Sequence, residues 1–270
     1  MRMQHAAAPL ALPPLRPAAG PTPCKVCGQP ARVVGQIDFN KACEEVRGKV
    51  LPSSGVYLPY RQCAACGLVF TEALDDWTAA DFKDHIYNDG YAAVDPDYAQ
   101  ARPDAMSKMI AQFFRDSAPE LDVLDYGGGN GRLAENLLRA GFRSATTYDP
   151  FTPAFAERPS RTYELITCFE TLEHVPDPLA AARDLAGLLA DPGIIFFSTL
   201  VQPQDIGRIG LKWWYIGPRN GHITIHSRNS LAASWRAVGL NMVSFNDNYH
   251  AAFRVPPDSA ARLISRVPTA

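Results

Sequence analysis

An α/β fold of the doubly wound kind is what this sequence predicts, and three observations predict it. Residues 121–126, LDVLDY, are an apolar run of strand length. They open directly into the loop GGGNG, and a helical stretch follows from Arg132 until Gly141 stops it. Strand-like runs then recur in SATTYDP, YELITCF and GIIFFSTLV, with a helix expected at 178–190 between the last two. Strands alternating with helices build a sheet covered on both faces.

A chain of 270 residues is long enough for one sizeable core and a smaller appendage. Hydrophobic content of 47% and charged content of 20% are those of a globular protein. Twenty-six basic against twenty-eight acidic residues leave a net charge of -2, and residues 1–100 carry nine against eleven. That balance provides no footprint for nucleic acid or an anionic membrane, so neither partner is expected.

The start of the chain, MRMQHAAAPLALPPLRPAAGPTP, has Pro9, Pro13 and Pro14 where a signal peptide needs an unbroken apolar run. Residues 1–22 are expected to be a disordered leader. The longest apolar runs fall short of the roughly 18 residues a membrane helix needs. A soluble, cytoplasmic protein is the expectation.

Cysteines stand at 24, 27, 43, 63, 66 and 168, four of them as C-x-x-C pairs, each followed by a glycine. Such a hairpin turns two thiolates toward one tetrahedral ion, and the glycine tolerates the positive φ that aims backbone N–H groups at sulfur. Two hairpins, Cys24 with Cys27 and Cys63 with Cys66, complete a four-sulfur Zn²⁺ site. A disulfide framework fits a chain without an export signal less well, and a redox C-x-x-C would open a helix, whereas Pro23 and Pro30 bracket this one. A closed four-sulfur site is structural, because it leaves no coordination position for chemistry. Cys43 and Cys168 read as ordinary small residues. The expected units are a zinc domain at 23–72, a helical connector or lid at 73–117, the main domain at 118–256 and a tail at 257–270.

Glycines at 127, 129 and 131 let the backbone approach a bound cofactor where any Cβ would obstruct it. A dinucleotide fingerprint would need glycine at 132, where Arg132 stands. Val123, Leu124, Asp125, Gly127, Gly129 and Gly131 instead match the first motif of class I S-adenosylmethionine-dependent methyltransferases. Asp149 then stands where that family places an acid on the ribose hydroxyls. The turn ETLEHVPDP stands where the family faces the transferred methyl, and DPGIIFFSTL resembles its Pro-Gly turn into the fifth strand. The resemblance covers residues 121–200 and implies a Rossmann-like sheet. It implies S-adenosylmethionine held by Asp125, Gly127, Gly129, Gly131, Asp149, Phe169 and Glu170. One departure is plain: thirteen residues separate Asp149 from Tyr163, too few for the family's usual helix and third strand, and its adenine-binding acid has no counterpart.

Methyl transfer needs a positioned nucleophile and a group to take its proton. Glu170, Glu173 and His174 follow a strand where this fold opens its crevice, with His174 the expected base. The spacing E-x-x-E-H also resembles the divalent-metal set of small-RNA 2'-O-methyltransferases and ubiquinone-pathway O-methyltransferases, with His222 as fourth ligand. Tyr91, in the turn YNDGY, is expected over the site, and the aromatics of KWWYIGPRNGH are expected to form a lid or line a pocket for the acceptor. Together with the tyrosine connector, CKVCG and RQCAACGLVF resemble the N-terminal zinc region of NDP-sugar C-methyltransferases and related glycan and natural-product methyltransferases. That resemblance implies a small polar acceptor, a sugar or glycan precursor. An RNA 2'-O-methyltransferase and a catalytically silent zinc scaffold are the alternatives.

Overall fold

The structure is a computed structural model that describes residues 12–266. Strands β1 (Thr22–Pro23), β2 (Pro30–Asp38), β3 (Tyr57–Cys63) and β4 (Val69–Phe70) come first, followed by helices α1 (Ala79–His85), α2 (Tyr91–Val94) and α3 (Ala101–Phe113). Next are β5 (Asp122–Tyr126), α4 (Arg132–Arg139), β6 (Ser144–Tyr148), β7 (Tyr163–Phe169), α5 (Pro178–Leu188) and β8 (Leu189–Ser198). The chain closes with α6 (Ile206–Ile209), β9 (Thr224–Ile225), α7 (Arg228–Arg236), β10 (Asn241–Ser244), β11 (Tyr249–Phe253) and α8 (Ala261–Ile264).

The main sheet has the order β10-β11-β8-β7-β5-β6. Strands β5 to β8 run parallel, while β11 is antiparallel to both its neighbours. Parallel strands covered on both faces must be apolar throughout, and β7 and β8 are buried along nearly their whole length. One face packs against α5 and α7 through Leu185, Leu231 and Trp235, and the other against α3 and α4 through Ile110, Leu133 and Leu137. This is the doubly wound, Rossmann-like architecture. The strand order reverses at β5, with β6 on one side and β7 on the other, so a crevice opens there at the carboxyl ends. No strand pairs with the outer edge of β6 among the described residues, and residues 150–162 run as a loop with one turn at Pro153–Phe155, in keeping with their short length.

The helix boundaries have local reasons, and one of them differs from expectation. Helix α3 starts at Ala101, because Pro103 is harmless in a first turn whose N–H groups lack intrahelical partners. Helix α5 ends at Leu188, since Leu189 is already paired with Tyr163. Helix α7 starts at Arg228, capped by Ser227, whose hydroxyl accepts from the Ser230 N–H.

A second sheet, β1-β2-β3-β4-β9, carries the cysteines. Its last strand comes from far along the chain, so Thr224 and Ile225 complete a unit expected to end at 72. Of the expected leader, residues 12–22 lie against the fold and residues 1–11 lie outside those described. Leu12 and Leu15 pack on the cluster that holds Trp77, and the Arg16 N–H donates to Ala73 O (3.0 Å). Arg61 is fully buried and donates to Gly20 O (2.6 Å) and Ala19 O (3.3 Å) as well as pairing with Glu72. A buried guanidinium needs acceptors, and the strap supplies them. In the expected tail, Ala260 and Leu263 are buried; residues 267–270 lie outside those described.

Candidate active site

The glycine loop leaves β5 with left-handed φ at Gly127, Gly129 and Gly131. A Cβ on Gly127 would stand 2.4 Å from Thr171 Oγ1, whereas nothing lies within 4 Å of the missing Cβ of Gly129. The loop is packed from below and open at Gly129. Asp149 sits at the end of β6, where its carboxylate accepts from the Gly129 N–H (2.9 Å) and the Phe151 N–H (2.8 Å). Each of its oxygens keeps a lone pair for a further donor. Asp125 lies beneath the loop: it accepts from Thr167 Oγ1 (2.9 Å), its other oxygen has no partner among the described residues, and burial pushes its carboxyl up to about 7. Arg132, where a dinucleotide site would have glycine, turns outward to a bidentate pair with Asp104 of α3 (2.6 and 2.9 Å).

At the next strand end Glu170 has φ 48°, a left-handed value that costs a residue with a Cβ. Ser198 holds it there, accepting its N–H (3.0 Å) and donating to Oε1 (2.6 Å). Burial, then the neighbouring Glu173, pushes the Glu170 carboxyl up to about 7. Phe169 turns its ring edge-on to Phe196, with centroids 5.5 Å apart.

Glu173, His174 and His222 present ligand atoms that all lie within 4.8 Å of one another. Tyr215 donates its hydroxyl to Glu173 Oε1 (2.6 Å), while Glu173 Oε2 and His174 Nδ1 are buried with no partner among the described residues. His222 Nδ1 lies 2.7 Å from Tyr215 O. A carbonyl only accepts, so Nδ1 carries the proton and Nε2 the lone pair. Burial lowers the His174 imidazole to about 4 and lowers that of His222 well below the usual range. Both rings are neutral at neutral pH. The structure therefore gathers three of the four expected cation ligands and leaves Glu170 beside them, tied to Ser198.

Tyr91 is buried, and its hydroxyl donates to Asn220 O (3.2 Å). Tyr87 stands closer to the centre, with its ring edge-on to His174 at 6.0 Å and against Phe151 at 4.9 Å. Its nearness to Tyr91 in the same turn was the available sign, but spacing alone does not choose between two tyrosines. Sequence reasoning also missed Ser198 and Tyr215 as the partners of the acids. A cleft of about 350 Å³ opens beside Glu170, lined by Arg102, Met106, Ser198, Trp214, Asn248 and Tyr249. Asp95 braces Arg102 through two hydrogen bonds (3.0 and 2.9 Å).

In the second sheet the four thiols converge, Cys24 on Cys66 and Cys27 on Cys63 at 3.5 Å each, all within 4.8 Å of one another. Gly28 and Gly67 take φ 70° and 80° and close each turn onto Cys24 O (3.0 Å) and Cys63 O (2.9 Å). The Val26 N–H points at Cys24 Sγ (3.5 Å). Cys43 stands apart, 3.5 Å from His222 Nδ1.

A family model described as a methyltransferase domain matches residues 98–245. The chain belongs to that family. The ubiquinone biosynthesis O-methyltransferase of Vibrio cholerae is 38% identical over 101 residues, 29% of this chain and 41% of that protein. The enzyme of the same name from Aliivibrio fischeri is 36% identical over 101 residues, 43% of its length. The chain thus spans about four tenths of the curated relatives it matches. Among solved structures, a Synechocystis magnesium protoporphyrin IX methyltransferase with bound SAH aligns with TM-score 0.45 and 18% identity, over 67% of this chain and 97% of that one. An amino pentose methyltransferase from Micromonospora aligns with TM-score 0.42 and 15% identity, over 63% and 98%. No described helix is long and apolar enough to cross a membrane.

Proposed function

We propose that this protein transfers a methyl group from S-adenosylmethionine to a hydroxyl of a small polar acceptor, a sugar or glycan intermediate, with a divalent cation beside the reacting oxygen. One observation carries the proposal: the open glycine loop, Asp149, Glu170 and the Glu173–His174–His222 cluster converge at the carboxyl ends of β5, β6 and β7. S-adenosylmethionine supplies a methyl on a positively charged sulfur, so a nucleophile in line with that bond completes the transfer. Gly127 to Gly131 and Asp149 would hold the cofactor, the carboxylate taking the ribose hydroxyls.

Glu173, His174 and His222 would hold the cation. Two buried polar atoms without partners, Glu173 Oε2 and His174 Nδ1, are what a bound cation would satisfy. A cation there would lower the pKa of an acceptor hydroxyl. Glu170 is then placed to take the proton: it lines the cleft, Ser198 occupies its Oε1, and burial and Glu173 push its carboxyl up to about 7 before a cation binds. His174, with its imidazole at about 4, suits ligation better than proton abstraction. The cleft beside Glu170 combines polar groups (Arg102, Asn248) with the flat faces of Trp214 and Tyr249, a lining that suits a hydroxylated ring. The names of the curated relatives support oxygen as the methylated atom. The four thiolates, packed at mutual distances one tetrahedral ion would span, would hold a structural Zn²⁺.

Titration with S-adenosylhomocysteine, followed by transfer of radiolabelled methyl to a panel of nucleotide sugars and small phenols, tests the proposal. His174→Ala should spare S-adenosylhomocysteine binding and abolish turnover. A protein that binds no S-adenosylhomocysteine would be a silent scaffold.

A further inference from the structure

We infer that the cysteine-bearing sheet acts on the candidate active site through β9, with Tyr60 and Gln202 as positioning residues that set where His222 stands and how its ring is turned. The functional consequence rests on the cation proposal above; the structural linkage does not.

Residues 222–225 are hydrogen-bonded along both edges. On one side lies the cysteine sheet: Val69 and Phe70 pair with Ile225 and Thr224, the Thr71 N–H donates to Ile223 O (3.0 Å), and Tyr60 donates its hydroxyl to His222 O (2.8 Å). On the other lies the turn that carries two of the candidate ligands. There the Ile223 N–H donates to Glu173 O (2.9 Å), and Thr224 Oγ1 donates to Val175 O (2.7 Å). The linkage reaches the second cysteine pair itself. Gln202 Nε2 donates to Gly67 O and Ile225 O (2.8 Å each), and Ser227 Oγ donates to Cys66 O (2.5 Å).

Tyr60, Ile223, Thr224 and Ile225 have no exposed surface, so water cannot replace a bond lost here. That segment carries the His222 backbone, and the ring it bears is turned by Tyr215. Its Nδ1–H donates to Tyr215 O, and Tyr215 donates to Glu173, which leaves the Nε2 lone pair for the cluster. A backbone carbonyl that fixes the tautomer of a ligating histidine is the usual outer support of a metal site, and its loss costs about 10–100-fold in metal affinity. The competing explanation is local: the His222 N–H donates to Gly217 O (3.1 Å), and the loop 217–221 alone could hold the ring.

The test uses full-length, zinc-loaded protein with ¹⁵N-histidine, read by long-range ¹H–¹⁵N correlation of the His222 ring and by Mn²⁺ titration. Wild type should show one Nδ1–H tautomer. Tyr60→Phe should give averaged or broadened His222 signals and about tenfold weaker Mn²⁺ binding. Its zinc content and S-adenosylhomocysteine affinity should not change. Gln202→Leu should shift His222 in the same direction, and it serves as the reporter if Tyr60→Phe loses its fold. An unchanged His222 tautomer and Mn²⁺ affinity in folded Tyr60→Phe or Gln202→Leu would overturn the inference in favour of the local loop. If wild type binds no Mn²⁺ while the variants still shift His222, the cation proposal fails and the linkage stands.

Discussion

The two clusters of metal-ligating side chains in this protein are built on opposite principles. The four cysteines face one another in two glycine-closed turns packed among Phe70, Leu68 and Val26, with Cys24, Cys63 and Cys66 buried and Cys27 part-exposed. Glu173, His174 and His222 come from two distant stretches of chain, carry buried atoms without partners among the described residues, and stand next to Glu170 and Tyr215, which line an open cleft. A site whose ligands satisfy only one another stabilises a fold; one with uncommitted polar atoms can take a ligand and do chemistry.

Breaking the first cluster should have the largest effect. Apparent free energies of structural zinc binding are about 10–16 kcal/mol, comparable to a whole domain's stability. Cys63→Ser should therefore lose zinc and cooperative unfolding of the N-terminal sheet, read by metal analysis and calorimetry. Full zinc retention would refute the four-sulfur site. Gly129→Arg comes next: it should reduce S-adenosylhomocysteine affinity more than about 100-fold, because a side chain there fills open space above the loop and is strained at φ 56°. Its Tm should fall far less than that of Cys63→Ser.

In the second cluster, Glu173→Gln should weaken Mn²⁺ binding by about 10–100-fold with zinc content unchanged, which separates the two sites in one experiment. The Glu170 carboxyl, pushed up to about 7 by burial and Glu173 before a cation binds, sets a pH effect: as a base it must be ionised, so turnover should climb on the acidic side, the limb lying below 7 once a cation offsets Glu173, and Glu170→Gln should flatten that limb. A profile without that limb would remove Glu170 as the base.

The smallest effect belongs to Asp125. Its folded pKa of about 7 lies above its ordinary value of 3.8, so the folded state binds the proton more tightly. The stability this gives is complete below about 4 and is lost as pH rises toward 7. Asp125→Asn should keep the fold and unfold a few degrees above wild type at pH 8, with the gap closing by pH 4.

Much of this was legible locally. The strand–glycine loop–helix unit at 121–139 and both C-x-x-C turns follow from spacing, because neighbouring residues fix φ and the approach of the backbone. The zinc unit was only half legible, since β9 joins its sheet from a position more than 150 residues beyond the second cysteine pair. Near the start of the chain, Ala19 and Gly20 are held by Arg61, a buried cation needing acceptors that composition does not reveal.

By itself, then, the sequence determined the chemistry at hand: four thiols in two turns, a glycine loop, and acids and a histidine just past a strand. Only the tertiary structure decided which groups meet. It brought His222 to Glu173 and His174, turned Tyr87 rather than Tyr91 toward them, and tied Glu170 to Ser198. Those choices depend on long-range strand pairing and on which buried polar atoms find partners, and neither has a local period in the chain.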